Sequence, residues 1–316
     1  LSLFQTIFHA EKVLQITQIQ ERGRPQSDNA AMVVTRRIAL CAMAAPAWPG
    51  GPALAAAPPT SLLTMLDGEA VLLREATRFA LAEGVALKAD DLLDVPAATR
   101  LARLEQNDGV ALALGPGSRA LLGPRLAGAR AGGRLYLLSG WLKLSAPAGV
   151  TARVLSPLLD LSTTGGTAVL WLHPAGAELF AEGGTVTVQR SGTPDMVLQA
   201  GEQLSVGAAG TAPPDRSDRP GKAFLGALPK AFMDRLPPRF AHWQQQTAEP
   251  NALGPLSYAD AQPWIDAEPA LRRAYLARWR PLARQPEFRR QLLAGLKNHP
   301  EWGPILVPPE PRRTPY

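Results

Sequence analysis

Between Val71 and Val206 the apolar residues come in short runs, each broken after a few positions by Gly, Asp or Pro. That spacing predicts short strands joined by tight turns. In RLARLEQNDGVALAL, Leu101 and Leu104 precede an Asn-Asp-Gly turn, after which Val110, Leu112 and Leu114 alternate with Ala111 and Ala113. Two strands and a hairpin turn are the direct reading. Further strands are expected at Arg134 to Ser145, Thr167 to His173, Gly184 to Arg190, Met196 to Ala200 and Gln203 to Gly207. No run of roughly 10–15 residues with helical period separates successive strands, which disfavours a parallel βαβ sheet.

After Gly207 the pattern changes. GAAGTAPPDRSDRPG has no apolar period and reads as a linker over residues 208–222. Leu271, Tyr275 and Trp279 then recur every fourth residue behind Pro269, and Phe288, Leu292 and Leu296 do the same behind Pro286. These are two amphipathic helices with Pro in the first turn. Pro229, Pro237 and Pro238 limit any helix between Lys222 and Trp243 to short pieces. The expected fold is mainly β: an antiparallel β-sandwich or β-roll over residues 62–207, then a small α-helical C-terminal region over 223–305 and an extended or disordered tail over 306–316.

Ahead of the strands, Met32 opens a segment with Arg36 and Arg37, an apolar run from Ile38, and Ala53-Leu54-Ala55 before Ala56. This layout is that of a secretory signal peptide over residues 32–55, with small residues Ala53 and Ala55 where the peptidase reads and cleavage before Ala56. Pro46, Pro49 and Pro52 interrupt the run, which falls short of the roughly 20 apolar residues of a membrane span. The expected location is periplasmic or secreted, by the general or the twin-arginine route. Residues 1–31 are read as untranslated or disordered. The single cysteine, Cys41, lies in the segment to be removed, so the mature chain is expected to form no disulfide and carry no thiol nucleophile.

The formal net charge is +6, but acids slightly outnumber bases from Ser61 to Pro214 and the excess lies in the C-terminal region. There Arg272, Arg273, Arg280, Arg289 and Arg290 crowd two helices and suit contact with an anionic membrane surface. The plain alternative is a solvated basic face of a packed helix pair. Nucleic acid is not expected, because the nearby aromatics occupy the apolar stripe.

No catalytic, cofactor or metal site emerges. Gly115-Pro116-Gly117-Ser118 lacks the Lys of a phosphate loop, and Pro116 removes an N–H that a phosphate would use. Ser118, Ser139 and Ser162 stand in no nucleophile motif with His9, His173, His242 or His299. Asp90, Asp91 and Asp94 lack calcium-loop spacing and read as a solvated turn. Trp141 and Trp171 fit the core better than an exposed sugar platform.

The order of motifs across the β region resembles the FecR domain of bacterial envelope proteins. ALKADDLLDVPAATRLARLEQNDGVALALGPGSRALL carries the acidic lead-in at Asp90 and Asp91 and the Asp108-Gly109 turn. After GRLYLLSGWLKL come Ser156-Pro157, Gly166-Thr167, Glu182-Gly183, and Leu198 to Gly201-Glu202. Ser156 stands for the family's Thr, and the family's Arg before Gly166 is missing. The resemblance implies an exported, non-enzymatic binding or scaffolding module without cofactor, whose partner is an envelope protein or a glycan. Two other roles compatible with it are a sensor signalling to a membrane or sigma-factor system and a peptidoglycan binder.

Overall fold

The computed structural model describes residues 60–208 and 212–307. The signal-peptide residues Ala53, Ala55 and Ala56, Cys41, the segment 1–31 and most of the C-terminal tail lie outside the described residues. The protein is mainly antiparallel β, with a few short helices near its C-terminus.

Alternating apolar residues form β1 (Ser61–Asp67), β2 (Val71–Arg74), β3 (Thr77–Ala80), β4 (Ala86–Leu87), β5 (Leu92–Val95), β6 (Leu101–Gln106), β7 (Ala111–Leu114) and β8 (Ser118–Leu122). They are followed by β9 (Leu135–Ser145), β10 (Thr151–Leu155), β11 (Asp160–Thr164), β12 (Thr167–His173), β13 (Gly176–Gly183), β14 (Val186–Gln189), β15 (Met196–Leu198) and β16 (Gln203–Gly207). Two short strands come later in the chain, β17 (Asp215–Ser217) and β18 (Asn251–Pro255).

The strands make two layers. Sheet 1 has the order β4-β1-β6-β7-β9-β12-β13-β16-β17, all antiparallel. Sheet 2 has the order β18-β3-β2-β5-β8-β9-β10-β11-β14-β15, antiparallel except for β9 beside β10. Leu104, Leu112 and Leu144 of sheet 1 meet Leu93, Ala120 and Leu137 of sheet 2 in one buried cluster between the layers.

Strand β9 belongs to both sheets, and Gly140 is its corner. Leu135 to Ser139 pair with β8, whereas Gly140 to Ser145 pair with β12 and β7. The alternation slips there: Leu135 and Leu137 face the inter-sheet core before it, and Leu142 and Leu144 after it. Gly140 has φ +87°, and a Cβ at this position would lie 2.4 Å from Ser118 Cα. Only glycine fits. The Gly-Pro-Gly-Ser stretch is the turn packed against this corner. The Ser118 hydroxyl donates to Gly115 O or Trp141 O, both at 2.8 Å, and accepts from Trp141 N at 2.8 Å.

The C-terminal chain does not form a separate appendage. Residues 215–217, within the stretch read as a linker, add β17 to the edge of sheet 1. The chain then crosses the outer face of sheet 1 as α1 (Lys222–Ala227), a 3-10 turn at Lys230–Phe232 and α2 (Phe240–Gln244). Trp243 Nε1 donates to Thr64 O at 2.9 Å beside the β4 edge, and β18 joins β3 at the edge of sheet 2. The helices α3 (Tyr258–Ile265), α4 (Pro269–Trp279), α5 (Pro286–Ala294) and α6 (Gly303–Leu306) cover the outer face of sheet 2. Ser257 and Asp260 close a reciprocal capping box at the start of α3. Trp264, Leu271, Tyr275, Trp279 and Trp302 pack on Leu73, Leu92, Leu121 and Tyr136 of the sheet. No helix among the described residues is long and apolar enough to cross a membrane.

Candidate functional site: a polar groove beneath a C-terminal strap

Because Ala102 and Leu104 point into the core, Arg103 and Glu105 of β6 point outward. The same parity turns Trp141, Lys143 and Ser145 of β9 and Thr167, Val169 and Trp171 of β12 to the outer face of sheet 1. Register brings Arg103 beside Ala113, Ala113 beside Lys143, and Lys143 beside Val169. Over this face runs the segment 222–245, a strap with little regular structure.

Three side chains of the sheet hold the strap by its backbone. Lys143 Nζ donates to Phe232 O at 2.6 Å and pairs with Glu182 at 2.7 Å. Arg103 donates to Leu236 O at 2.9 Å and pairs with Glu105 at 3.1 Å. Glu105, 3% exposed, accepts from the N–H groups of Arg239 and Phe240, both at 2.8 Å. Those N–H groups lie at the start of α2, where an unpaired donor favours a carboxylate. Two strap side chains also penetrate the face. Phe224 packs on Trp141 at 5.6 Å and Phe232 meets it edge-on at 6.4 Å.

Between strap and sheet a groove of about 410 Å³ remains open, lined among others by Arg103, Lys143, Ser145, Thr167, Glu182 and Arg235. Its floor is low because Ala111 and Ala113 supply the β7 side chains. Small residues below and hydroxyl, ammonium, guanidinium and carboxylate groups around them make a site for a polar ligand with both donors and acceptors.

On the same face of sheet 1, Trp141 and Trp171 stack at 4.5 Å with a 6° interplanar angle, and Trp171 in turn contacts the His173 ring at 4.3 Å. Trp141 is buried, as the sequence suggests, while Trp171 and His173 are half-buried. The pair belongs to a satellite cluster under the strap, on the opposite side of sheet 1 from the main core.

The five arginines singled out in the sequence sit in different surroundings. Arg272 is held by Glu301 at 2.8 Å and Asn298 O at 2.6 Å, and Arg289 donates to Leu306 O. Arg290 pairs with Glu287 on the same helix. Arg273 and Arg280 are exposed. Two of the five thus serve helix packing. The acidic lead-in is likewise not a solvated turn. Asp91 is 2% exposed, grips Arg74 at 2.6 and 2.8 Å, and accepts Lys88 N–H at 2.7 Å. Asp94 pairs with Arg119 and Asp90 with Arg125. No cluster of three metal-ligating side chains occurs among the described residues. His299 is buried between α3 and α5, with Asp266 Oδ1 at 2.9 Å and Leu292 O at 3.1 Å from its two ring nitrogens. His242 is exposed.

Arg103, Glu105 and Lys143 were not picked out from the sequence. The available signal is faint: charged residues at alternate positions of otherwise apolar strands mark an outer face, but not what lies on it. A second ionic knot was equally hidden. Arg130 forks onto Asp160 at 3.0 Å, reaches Glu268 at 2.7 Å and Ser156 O at 2.8 Å, and stands over the Tyr136 ring at 5.6 Å. Although burial opposes its charge, hydrogen bonds donated to Asp160 and Glu268 hold the Arg130 guanidinium more firmly protonated than usual. Burial pushes the Tyr136 hydroxyl far up as well.

No family model matches this chain, and no curated protein matches it. Among solved structures it is similar to two from Parabacteroides distasonis ATCC 8503, each described as a "putative anti-sigma factor". Identities are 15% and 16% and TM-scores 0.35 and 0.36, over 40% and 43% of this chain. The chain spans 59% and 64% of their lengths. Likenesses this slight leave the chain's role to be argued from its own residues.

Proposed function

We propose that the chain is an exported, non-enzymatic binding or scaffolding module of the bacterial cell envelope, built on a FecR-like β domain, and that the groove beneath the strap receives its partner. The groove carries this reading: a volume of about 410 Å³ lined by the cations Arg103, Lys143 and Arg235, the carboxylates of Glu182 and Asp234, and the hydroxyls of Ser145 and Thr167 around an alanine floor. Such a lining offers hydrogen bonds in both senses beside the apolar Leu101, Phe232 and Leu236, a mixture that suits a glycan.

Two further observations support the class. The paired motifs of the FecR resemblance fall at strand junctions. Asp108-Gly109 turns β6 into β7, Ser156-Pro157 starts the β10 to β11 turn, Gly166-Thr167 opens β12, and Gly201-Glu202 leads into β16. The signal-peptide layout over residues 32–55 supports export.

Co-sedimentation of the mature protein with purified peptidoglycan sacculi tests the proposal. Binding that is retained by the wild type and lost when Ala113→Trp fills the groove is the expected result. Wild-type protein left wholly in the supernatant removes the glycan reading, and equal pelleting of both proteins removes the groove. Fractionation of the source cells tests export separately: the expected species is soluble, periplasmic and shorter than the precursor.

A further inference from the structure

On α4, the face turned away from sheet 2 carries charge of one sign. From Pro269 to Gln285 the chain contains five arginines and no acidic residue. The helical path continues beyond Trp279: Arg280 at φ −50°, ψ −39° and Pro281 at φ −62°, ψ −34° carry it into a 3-10 turn at Leu282–Arg284. Leu271, Tyr275, Trp279 and Leu282 form the buried stripe of this path. At about 100° per residue, Arg273 and Arg280 fall within about 20° of each other on the opposite side, and Arg284 follows one turn later. The three span about 16 Å at 1.5 Å per residue.

The other two arginines serve the fold. Arg272 holds Glu301 and Asn298 O, and Arg278 donates to Asp90 O at 2.7 Å and Leu73 O at 3.2 Å. Arg273, Arg280 and Arg284 are exposed, and none forms a side-chain hydrogen bond or ion pair among the described residues. The carboxylates around the helix are engaged with other cations or face elsewhere. Glu268 pairs with Arg130, Asp90 with Arg125 and Glu287 with Arg290. Glu301 holds Arg272 and offsets part of the Arg273 charge. Glu75 lines the cavity between α4 and the sheet, together with Ala274 and Arg278.

We propose that the Arg273, Arg280 and Arg284 stripe rests on the anionic lipid headgroups of a membrane surface and gives the protein a weak, salt-sensitive attachment. The occupant follows from charge complementarity and from what the stripe lacks. Besides arginine, the exposed residues of α4 are Pro269, Ala270, Ala274 and Ala277, so the helix presents no large apolar anchor of the kind around which a protein interface is built. Its aromatic residues, Tyr275 and Trp279, lie on the buried stripe, so no ring is free to stack on a base. A layer of anionic headgroups requires only charge, and each cation near it strengthens binding about fivefold, three together roughly a hundredfold. The proposal takes its occupant from the envelope reading, but the stripe lies on the sheet 2 side, away from the groove of sheet 1. Vesicle binding and sacculus binding can therefore fail independently.

The test is co-sedimentation of the mature chain, which keeps every described residue, with sucrose-loaded vesicles of equal parts phosphatidylglycerol and phosphatidylcholine, and with vesicles of phosphatidylcholine alone. Binding is expected to the anionic vesicles only, and release is expected in about 0.5 M NaCl. Arg280→Gln is expected to weaken binding about fivefold. Arg273→Gln, Arg280→Gln and Arg284→Gln together are expected to bring it to the level of the neutral vesicles, with the urea midpoint unchanged because these side chains hold nothing else in the fold. Lys222→Gln removes the same charge from an exposed position at the start of α1, on the sheet 1 side, and is expected to change binding less than twofold. Failure to pellet with anionic vesicles, equal pelleting with both kinds, undiminished binding by the triple variant, or equal weakening by Lys222→Gln each overturns the proposal. Displacement by millimolar glycerol phosphate overturns it in favour of a free phosphate, and tighter binding of duplex DNA that the triple variant loses overturns it in favour of a nucleic acid.

Discussion

Replacing Glu105 by Ala isolates what holds the strap down. The carboxylate accepts two backbone hydrogen bonds of 2.8 Å from Arg239 and Phe240 and stands 3.1 Å from Arg103 Nε, with 4% of its side chain exposed. Hydrogen bonds to a charged group contribute about 1.5–3 kcal/mol each, and removing one partner of a buried ion pair costs about 3–5 kcal/mol. These terms overlap, so the expected loss is about 3–5 kcal/mol, concentrated in the strap. Phe224 and Phe232, 2% and 3% exposed, still bind it with about 1.5–3 kcal/mol each. The balance leaves a strap that opens frequently over an intact sandwich. Amide hydrogen exchange is the assay. Arg239, Phe240 and Gln244 are expected to exchange faster by two orders of magnitude or more, since about 1.4 kcal/mol is a factor of ten. Leu142 and Leu144 in β9 are expected to remain protected. Glu105→Gln keeps an acceptor without the charge and is expected to give a smaller effect. Unchanged strap exchange, or uniform loss across strap and β9, refutes the assignment of Glu105 as a local anchor.

Three further outcomes follow from named contacts. Gly140→Ala puts a Cβ 2.4 Å from Ser118 Cα at φ +87° and is expected to cost about 2–5 kcal/mol by urea denaturation. Gly117→Ala, at φ +67° with no atom within 4 Å, is its control and is expected to cost about 1–2 kcal/mol; equal losses would remove the steric argument. Arg130→Met leaves Asp160, 6% exposed, with Arg153 at 3.4 Å and the Ser156 N–H at 3.2 Å, and is expected to lower stability by about 3–5 kcal/mol, with calorimetry as the measurement. The Arg216 hydrogen bond and the Gln199 N–H hold the Glu202 carboxyl below the usual carboxylate range. A lowered folded value means that its contribution is present above the ordinary value of about 4.3 and is lost as pH falls through the lower one. Exchange at Arg216 and Ser217 is therefore expected to rise below about pH 4, and Glu202→Gln to flatten that dependence.

The alternation that made β6, β7, β12 and β16 readable is local, and their positions in the sequence and in the structure agree closely. β9 was readable as a strand but not as a corner. LYLLSGWLKLS is nearly continuous in apolar residues, and the slip of phase at Gly140 shows only once two partner sheets are known. β17 was hidden because Asp215, Arg216 and Ser217 bury nothing; its strand form comes from pairing with β16 and from the Glu202–Arg216 bridge. The helices α4 and α5 were legible from their apolar stripes. Their docking onto sheet 2 was not, because the Leu73, Leu92 and Tyr136 face that receives them alternates like any other. The groove depends on pairings more than 130 residues apart, such as Glu105 with Phe240. No single-sequence pattern encodes separations of that length. The contact that holds Arg272 was hidden for the same reason: Glu301 lies 29 residues away.

One chain segment covers both outer faces, and the two coverings differ in strength. On sheet 2, Trp264, Ile265, Leu271, Tyr275, Trp279, Leu282, Phe288, Leu292, Trp302 and Leu306 are all at most 3% exposed. At about 1.5–3 kcal/mol for each buried side chain, that layer contributes several times what Phe224 and Phe232 contribute on sheet 1, even after ordering costs reduce both. The strap compensates with backbone hydrogen bonds to Lys143, Arg103 and Glu105, and the first two also line the groove. A ligand that offers acceptors to Lys143 and Arg103 competes directly with Phe232 O and Leu236 O. Its binding then draws on the same contacts that close the strap, so strap position and groove occupancy are coupled through two named side chains. The helical layer on sheet 2 is held by apolar contacts for which a polar ligand does not compete, so such coupling is expected at sheet 1.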